Sequence, residues 1–385
     1  TRTRWVRRRP WMAAAAGPLI LTFAAVLLPP FAVAPLIKTL WVACASFTFF
    51  LAWTLVAVPY EALGAELTFH HDERTRLLGL REGTVLAGTL PAAAPPALLA
   101  TWLPGPDTAQ PQRPTYVILA FVYPLLLIGA VAWAGIALPE RELSRRQEPH
   151  GRALDDLRHL VRNRPFRILL GAYTISAFGS QLPATLILFY TQYVLGTDSG
   201  PAFLVLYLGV GFLFLPFWLW LAGRTEKRTA WLVSMGINAA AFLAVLLLGK
   251  GDTLLYGVLV TVSALGLGGV LALPASMQAD VIDYEEWRTG ERREGQVVGV
   301  WSIAKKLAAA LGAGIAFPLL GLAGYVPNAE QPDSARIALR LLYAGVPSLC
   351  NLVAIGVACR YPINRRAHRA LREQIDAGET SAAAG

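Results

Sequence analysis

Charge is scarce in this chain. Lys, Arg, Asp and Glu make up only 15% of its 385 residues, where a soluble protein of this size carries about a quarter. That deficit points away from a soluble globular domain. Cysteine is scarcer still. Cys44, Cys350 and Cys359 lie in or beside apolar segments, with no spacing that suits a disulfide framework or a zinc site. The five histidines (His70, His71, His150, His159 and His368) fall in polar segments, outside the apolar runs. No nucleophile–base constellation is present, so the sequence reads as a non-enzyme with no cofactor and no metal. The run Gly266-Leu267-Gly268-Gly269 has no strand before it and no Lys-Ser/Thr after it, as a phosphate loop requires. It reads as close packing between helices through small residues.

Apolar residues are what the chain has in abundance: 55% are hydrophobic. They fall in blocks long enough to cross a bilayer core, which takes ~20 helical residues. The pattern predicts an all-α polytopic membrane protein with ten spans, roughly 11–28, 36–58, 84–103, 114–138, 166–195, 201–222, 230–248, 253–273, 297–320 and 337–358. The net charge of +9 is a topology signal. The opening segment, the loops 59–83, 139–167, 223–229 and 278–296, and the tail from 359 hold 27 of the 34 Lys and Arg. The alternate loops hold only Arg113, Lys250 and Arg336. Cytoplasmic loops carry such an excess, so both ends of the visible chain are expected in the cytoplasm. Anionic lipid is then the expected partner of the positive charge, and nucleic acid is not.

The organisation expected is an N-terminal bundle over 1–138 with four visible helices, a cytoplasmic linker over 139–165, a six-helix bundle over 166–358 and a cytoplasmic tail over 359–385. Ala153 to Val161 in the linker has the pattern of an amphipathic surface helix. The tail after Arg369 drifts into Ala, Gly and Ser and reads as disordered.

One polar segment occurs twice. Ala65-Glu66-Leu67, Asp72-Glu73-Arg74-Thr75 and Arg81-Glu82-Gly83 return as Ala279-Asp280-Val281, Glu286-Trp287-Arg288-Thr289 and Arg293-Glu294-Gly295. The first two blocks keep an offset of 214 residues. A repeat at that distance in an apolar chain indicates two related helix bundles. Within its own half, four spans precede the second copy and two precede the first. A smaller pair agrees, since Arg2-Thr3 and Trp11 open the first span as Arg224-Thr225 and Trp231 open the seventh. By this symmetry the chain is expected to be six-plus-six with two helices absent before Thr1.

These residues resemble those of a known family. Pro59-Tyr60-Glu61-Ala62-Leu63-Gly64-Ala65-Glu66-Leu67-Thr68 with Asp72-Glu73-Arg74-Thr75 is similar to the loop after the fourth helix of the glycoside–pentoside–hexuronide:cation symporters, the melibiose-permease-like branch of the major facilitator superfamily. Asp280-Val281-Ile282-Asp283-Tyr284 with Thr289-Gly290-Glu291-Arg292-Arg293-Glu294-Gly295 resembles the loop before its eleventh helix, and Gly324-Tyr325-Val326-Pro327-Asn328 the segment after it. Arg7-Arg8-Arg9-Pro10-Trp11 resembles the start of the third helix. The resemblance implies the major facilitator fold, two pseudo-symmetric bundles with ten of twelve helices visible, a central cavity, alternating access, and coupling to sodium or protons. It also implies coupling acids mainly on the second helix, which is not in this sequence. The family's fourth-helix Asp position holds Ala57, with Glu61 the nearest carboxylate, and the fifth-helix substrate Arg has no match between Thr84 and Leu103. These departures count against a galactoside substrate and against sodium coupling.

Lys305 and Lys306 are the sharpest local signal. Nine residues past Val297 put Lys306 roughly 13 Å deep, where a charged side chain costs ~2.5–3.5 kcal/mol unless it faces a cavity or a partner. By register the family's eleventh-helix Lys corresponds to Lys306, and a one-residue slip makes it Lys305. No acid lies at mid-depth in a visible span, so the counter-charge is expected on the absent helices. Glu61 is a candidate proton-titrating group at the inner end of its span, or an inner-mouth residue paired with a loop Arg. Trp53, Thr54, Tyr60, Tyr173, Gln181, Tyr190 and Trp301 are the candidate cavity residues, because a transport site combines aromatic surfaces with a few polar groups. Glu66, Asp72, Arg74, Arg81, Asp280, Asp283, Arg288, Arg292 and Arg293 are the candidate cytoplasmic gate, in which opposite charges on the two repeated loops lock the bundles together. Two readings stand beside this one: the arginines enforce topology, and the acids solvate the loops.

The function expected is secondary active transport in the cell membrane, by a monomer. It would be cation- or proton-coupled symport of a sugar, glycoside or related small polar solute. Two alternatives stay open at this point: a lysophospholipid-type carrier of amphipathic lipid, and a non-transporting receptor, scaffold or inactive truncated transporter.

Overall fold

The computed structural model of the chain describes residues 9–30, 33–67, 71–102, 113–137, 160, 162–290, 294–327 and 329–384. Every regular element among them is a helix. In order they are α1 (Arg9–Leu27), α2 (Pro35–Glu66), α3 (His71–Trp102), α4 (Arg113–Ala137), α5 (Arg164–Tyr190), α6 (Gly200–Arg224), α7 (Lys227–Val245), α8 (Thr253–Thr289), α9 (Glu294–Leu322), α10 (Asp333–Arg340), α11 (Val346–Ala358) and α12 (Arg365–Ala384). A π-helical turn, Thr191–Leu195, extends α5, and another, Leu341–Gly345, joins α10 to α11. Among the described residues nine stretches are long and apolar enough to cross a membrane. Helix is the form such stretches take, since a bilayer offers no water to satisfy backbone polar groups. The span expected over 84–103 falls in the second half of α3, whose first half carries Glu73, Arg76, Arg81 and Glu82.

Two expectations about the polar segments are corrected. The repeated segments are largely helical, not loops. The helix α2 runs unbroken through Pro59 to Glu66, α3 begins at His71, and α8 continues 37 residues from Thr253 to Thr289. The left-handed Gly290 (φ 70°) ends α8, its amide bonded to the Glu286 carbonyl. A C′ glycine closes helices in this way because it alone adopts that backbone without strain. The tail is not disordered after Arg369, since α12 spans Arg365–Ala384. The segment Ala153–Val161 lies outside the described residues.

The chain divides into two compact units. One comprises residues up to 69 and 88–146, and the other residues 70–87 and 147–385. In the first, α1 packs on α2 and α4 around Ala15, Leu19, Ala52 and Val56, flanked by Phe49, Leu127 and Val131. The Tyr123 hydroxyl donates to the Ala92 carbonyl at 2.6 Å and holds α4 to α3.

The second unit is built by α5 to α12 together with the first half of α3. Asn163 caps α5 by accepting from the Phe166 amide at 2.9 Å. A chain of side-chain hydrogen bonds crosses the interior. The Ser176 hydroxyl donates to Asn351 at 2.8 Å, the Asn351 amide to Asn238 at 3.0 Å, and the Asn238 amide to the Ser263 hydroxyl at 2.9 Å. Such bonds tie four helices (α5, α11, α7 and α8) at about 0.6 kcal/mol each. Gly266 permits close approach of α8 to α7, because a Cβ there would stand 2.5 Å from the Ser234 carbonyl oxygen. The glycine run is therefore packing, as its sequence context indicates.

Candidate functional site

Two features of the second unit are candidates for a functional site. The first is an aromatic pair beside two lysines on the seam of α5 and α9. The rings of Tyr173 (α5) and Trp301 (α9) stack with centroids 4.2 Å apart and planes at 27°. Trp301 is buried and Tyr173 half-buried, so the indole forms the floor and the phenol the exposed layer. Lys305 follows Trp301 by four residues, on the same side of α9. Lys306 is half-buried and engaged in further contacts, whereas Lys305 is exposed. At ~1.5 Å per residue Lys306 sits about 18 Å from the Glu294 end of α9, near the helix midpoint. Gln181 packs where a Cβ on Gly312 would stand 2.7 Å from its own Cβ, so the α5–α9 seam stays closed at that level. Of the residues the sequence brings forward separately, Tyr173 and Trp301 meet in the fold, and Lys305 and Lys306 follow four and five residues further along α9.

Other cavity candidates lie elsewhere. Tyr190 is fully buried in the core of the second unit, stacked on Tyr343 at 4.2 Å, and its hydroxyl donates to the Val245 carbonyl at 2.9 Å. A cavity of about 120 Å³ opens nearby, lined by Tyr207, Asn238, Tyr256, Ser263 and Tyr343. It has room for a few waters. Trp53, Thr54, Tyr60 and Glu61 belong to α2 in the first unit. There Trp53 and Tyr60 are exposed, Thr54 donates to the Phe50 carbonyl at 2.6 Å, and Glu61 is partly buried.

The second feature is a buried charge cluster at the Thr289 end of α8. Asp280 and Asp283 are 2% and 0% exposed. The Lys227 ammonium, itself buried, donates to both Asp280 oxygens at 2.9 and 2.8 Å. His368 of α12 lies 2.9 Å from an Asp283 oxygen and 3.7 Å from Asp280. Arg372, one turn further along α12, lies 4.0 Å from Asp283 and 3.9 Å from Glu286. The Tyr361 hydroxyl donates to the Met277 carbonyl at 3.4 Å. Burial, reinforced by the charge of Asp280, pushes the Tyr361 phenol well above its ordinary value, so it stays neutral. Beside the cluster, buried Glu285 accepts from the Asn163 amide at 2.6 Å and from Arg288 at 2.8 and 3.0 Å.

Charges in this cluster are thus paired within the second unit. Lys227, His368, Arg372 and Glu285 were not among the candidates read from the sequence. The signal for Lys227 was present: it opens α7 only three residues after Arg224. Arg81 pairs with its neighbour Glu82. The side chains of Glu66, Asp72 and Arg74, and residues Arg292 and Arg293, lie outside the described residues. Thr75, in the first copy of the repeat, shares a hydrogen bond at 2.9 Å with Ser276, just ahead of the second copy.

Comparison with known proteins gives a consistent picture. The family described as MFS/sugar transport protein matches residues 1–365. An uncharacterized symporter of Synechocystis sp. is 25% identical over 98% of this chain and 85% of its own length. A glucuronide carrier protein homolog of Escherichia coli is 26% identical over 97% of this chain and 81% of its own. The isoprimeverose transporter of Lactiplantibacillus pentosus is 26% identical over 90% and 72%. Among solved structures, the major facilitator transporter FucP superposes with a TM-score of 0.61 at 14% identity, covering 93% of this chain and 84% of that one. A bacterial homologue of the iron transporter ferroportin gives 0.64 at 13%, covering 93% and 84%. At such identities the structures speak to the fold alone.

Proposed function

We propose, from the premise that the chain belongs to the MFS/sugar transport protein family, that it is a secondary transporter of a sugar-like solute driven by a cation gradient. The observation that carries the reading is the Tyr173–Trp301 stack, with half-buried Lys306 five residues further along α9. A sugar presents an apolar ring face and a rim of hydroxyls. An aromatic surface meets the first, and a small number of placed polar groups meets the second. Lys306 supplies three hydrogen-bond donors and a positive charge, which also suits an acidic sugar. The names of the relatives support this range, since they include a glucuronide carrier homolog, a putative sulfoquinovose importer and an isoprimeverose transporter.

Alternating access is the mechanism proposed. The buried carboxylates Asp280 and Asp283 fix the Thr289 end of α8 to α7 and α12, so this end of the second unit moves as one body. Coupling to protons is favoured over sodium, because Ala57 stands where the resemblance calls for a carboxylate. The test is uptake into proteoliposomes holding the purified chain, with labelled glucuronide and isoprimeverose as probes. Accumulation is expected under an imposed inward proton gradient, and a protonophore is expected to abolish it. Accumulation that follows a sodium gradient and ignores the protonophore would overturn the proton assignment.

A further inference from the structure

We propose that a phosphate-bearing anion, the headgroup of an anionic phospholipid, binds in the cleft between the first turns of α3 and the last turn of α6. This cleft has a volume of about 360 Å³ and is lined by Thr75, Arg76, Pro216, Leu219, Trp220, Gly223 and Arg224. All of these residues belong to the second unit.

The cleft follows from how the two helices meet. Further along α3 they touch. A Cβ on Gly79 would stand 2.3 Å from Leu219 Cδ2, and one on Gly83 would stand 2.6 Å from Leu215 Cδ2. Beyond Gly79, toward the start of α3, no small residue continues the seam, and the pair Thr75 and Arg76 faces Trp220 and Arg224 across open space. The Thr75 hydroxyl is tied to Ser276, which fixes that wall.

Two arginines from different helices therefore line one cleft, and neither holds an ion pair among the described residues. Arg224 lies over the exposed Trp220 ring at 5.7 Å, which orients the guanidinium and leaves its donors available. Its position at the end of α6 would ordinarily be explained by the carbonyls there. Those are already served, since the Arg365 guanidinium donates to the Ala222 and Gly223 carbonyls at 3.3 and 2.6 Å. Arg76 sits in the second turn of α3 and is exposed. Guanidinium forks match phosphate oxygens bidentately. An exposed Trp beside arginines at a helix end is the arrangement of a membrane–water interface, where a basic pocket between helices takes lipid headgroups. The apolar walls Pro216, Leu219 and Trp220 run down α6 and offer an acyl chain a continuous surface.

The experiment is native mass spectrometry of the detergent-purified chain titrated with phosphatidylglycerol and, separately, phosphatidylcholine. The wild type is expected to retain phosphatidylglycerol at concentrations where phosphatidylcholine washes away. The double variant Arg76→Gln/Arg224→Gln is expected to need about tenfold more phosphatidylglycerol or worse, while Arg76→Lys/Arg224→Lys, which keeps the charge and loses the forks, is expected to fall between it and wild type. Melting temperatures equal to wild type in phosphatidylcholine show that the variants fold. A third arm adds millimolar inorganic phosphate. Failure to displace the lipid supports a headgroup site, and displacement at low millimolar phosphate assigns the cleft to free anion and overturns the lipid. Equal retention of phosphatidylglycerol by wild type and the Gln variant overturns the site, as does equal retention of the two lipids by wild type.

Discussion

Replacing Lys227 with alanine is expected to lower the stability of the second unit by about 3–5 kcal/mol, the usual cost of stranding one member of a buried ion pair. Lys227 and Asp280 are both nearly inaccessible, and the ammonium reaches both carboxylate oxygens within 2.9 Å. Without it, Asp280 loses its closest cation beside the equally buried Asp283, and His368 and Arg372 lie no nearer than 3.7 Å and 4.0 Å to Asp280 and Asp283 respectively. Two carboxylates then share a site with too little positive charge, and the end of α8 is the part expected to open. Unfolding by denaturing detergent, followed by intrinsic fluorescence, measures the loss. The double variant Lys227→Met/Asp280→Leu discriminates the cause. Removing both charges replaces the pair with apolar volume, and most of the stability is expected to return. A single variant within about 1 kcal/mol of wild type would show that water reaches the pair.

The second large effect concerns the two adjacent lysines. Lys306→Ala is expected to lower kcat/KM for transport by about tenfold to a hundredfold or more, the equivalent of a charge-assisted hydrogen bond worth roughly 1.5–3 kcal/mol. Lys305→Ala is expected to leave it within about threefold, because Lys305 is exposed whereas Lys306 is half-buried near the middle of α9. Lys306→Arg keeps the charge and is expected to restore part of the activity with an altered substrate preference, since a planar fork does not replace a point charge. Tyr173→Ala gives an independent reading. It removes the exposed layer of the stack and leaves Trp301 in place, and it is expected to raise KM more than it lowers kcat. Equal effects of the two lysine variants would dissociate Lys306 from the substrate.

The class of the protein was legible because apolar periodicity and basic-loop asymmetry are local signals. Among the described residues, nine membrane-length stretches follow from runs of apolar residues that nothing in a bilayer interrupts. The repeat around Asp72 and Glu286 was equally plain as a sequence. Its conformation was not, for a physical reason. Asp280, Asp283, Glu285 and Glu286 within seven residues read as a solvated loop, yet α8 passes through them as buried helix. The charges that make this possible come from Lys227, 53 residues away, and from His368 and Arg372, more than 80 residues away. No window along the chain contains both sides of those pairs. The tail shows the same effect. Ala and Gly after Arg369 suggested disorder, but His368, Arg372 and the Trp287–Gln374 hydrogen bond at 2.6 Å dock α12 on the end of α8. Tyr173 and Trp301 were each visible as aromatics in apolar helices. Their stacking required the α5–α9 seam, which tertiary packing sets.

The proposed passage of a sugar-like solute across a membrane, at a site that includes Tyr173, Trp301 and Lys306, is open to one direct test. Substrate counterflow tests it without assuming a coupling ion. Proteoliposomes loaded with unlabelled glucuronide or isoprimeverose are diluted into a trace of the labelled compound. A transient internal excess of label is expected for at least one of them, lost in Lys306→Ala and kept in Lys305→Ala. Labelled substrate that binds to the purified chain yet shows no excess inside wild-type vesicles would contradict it.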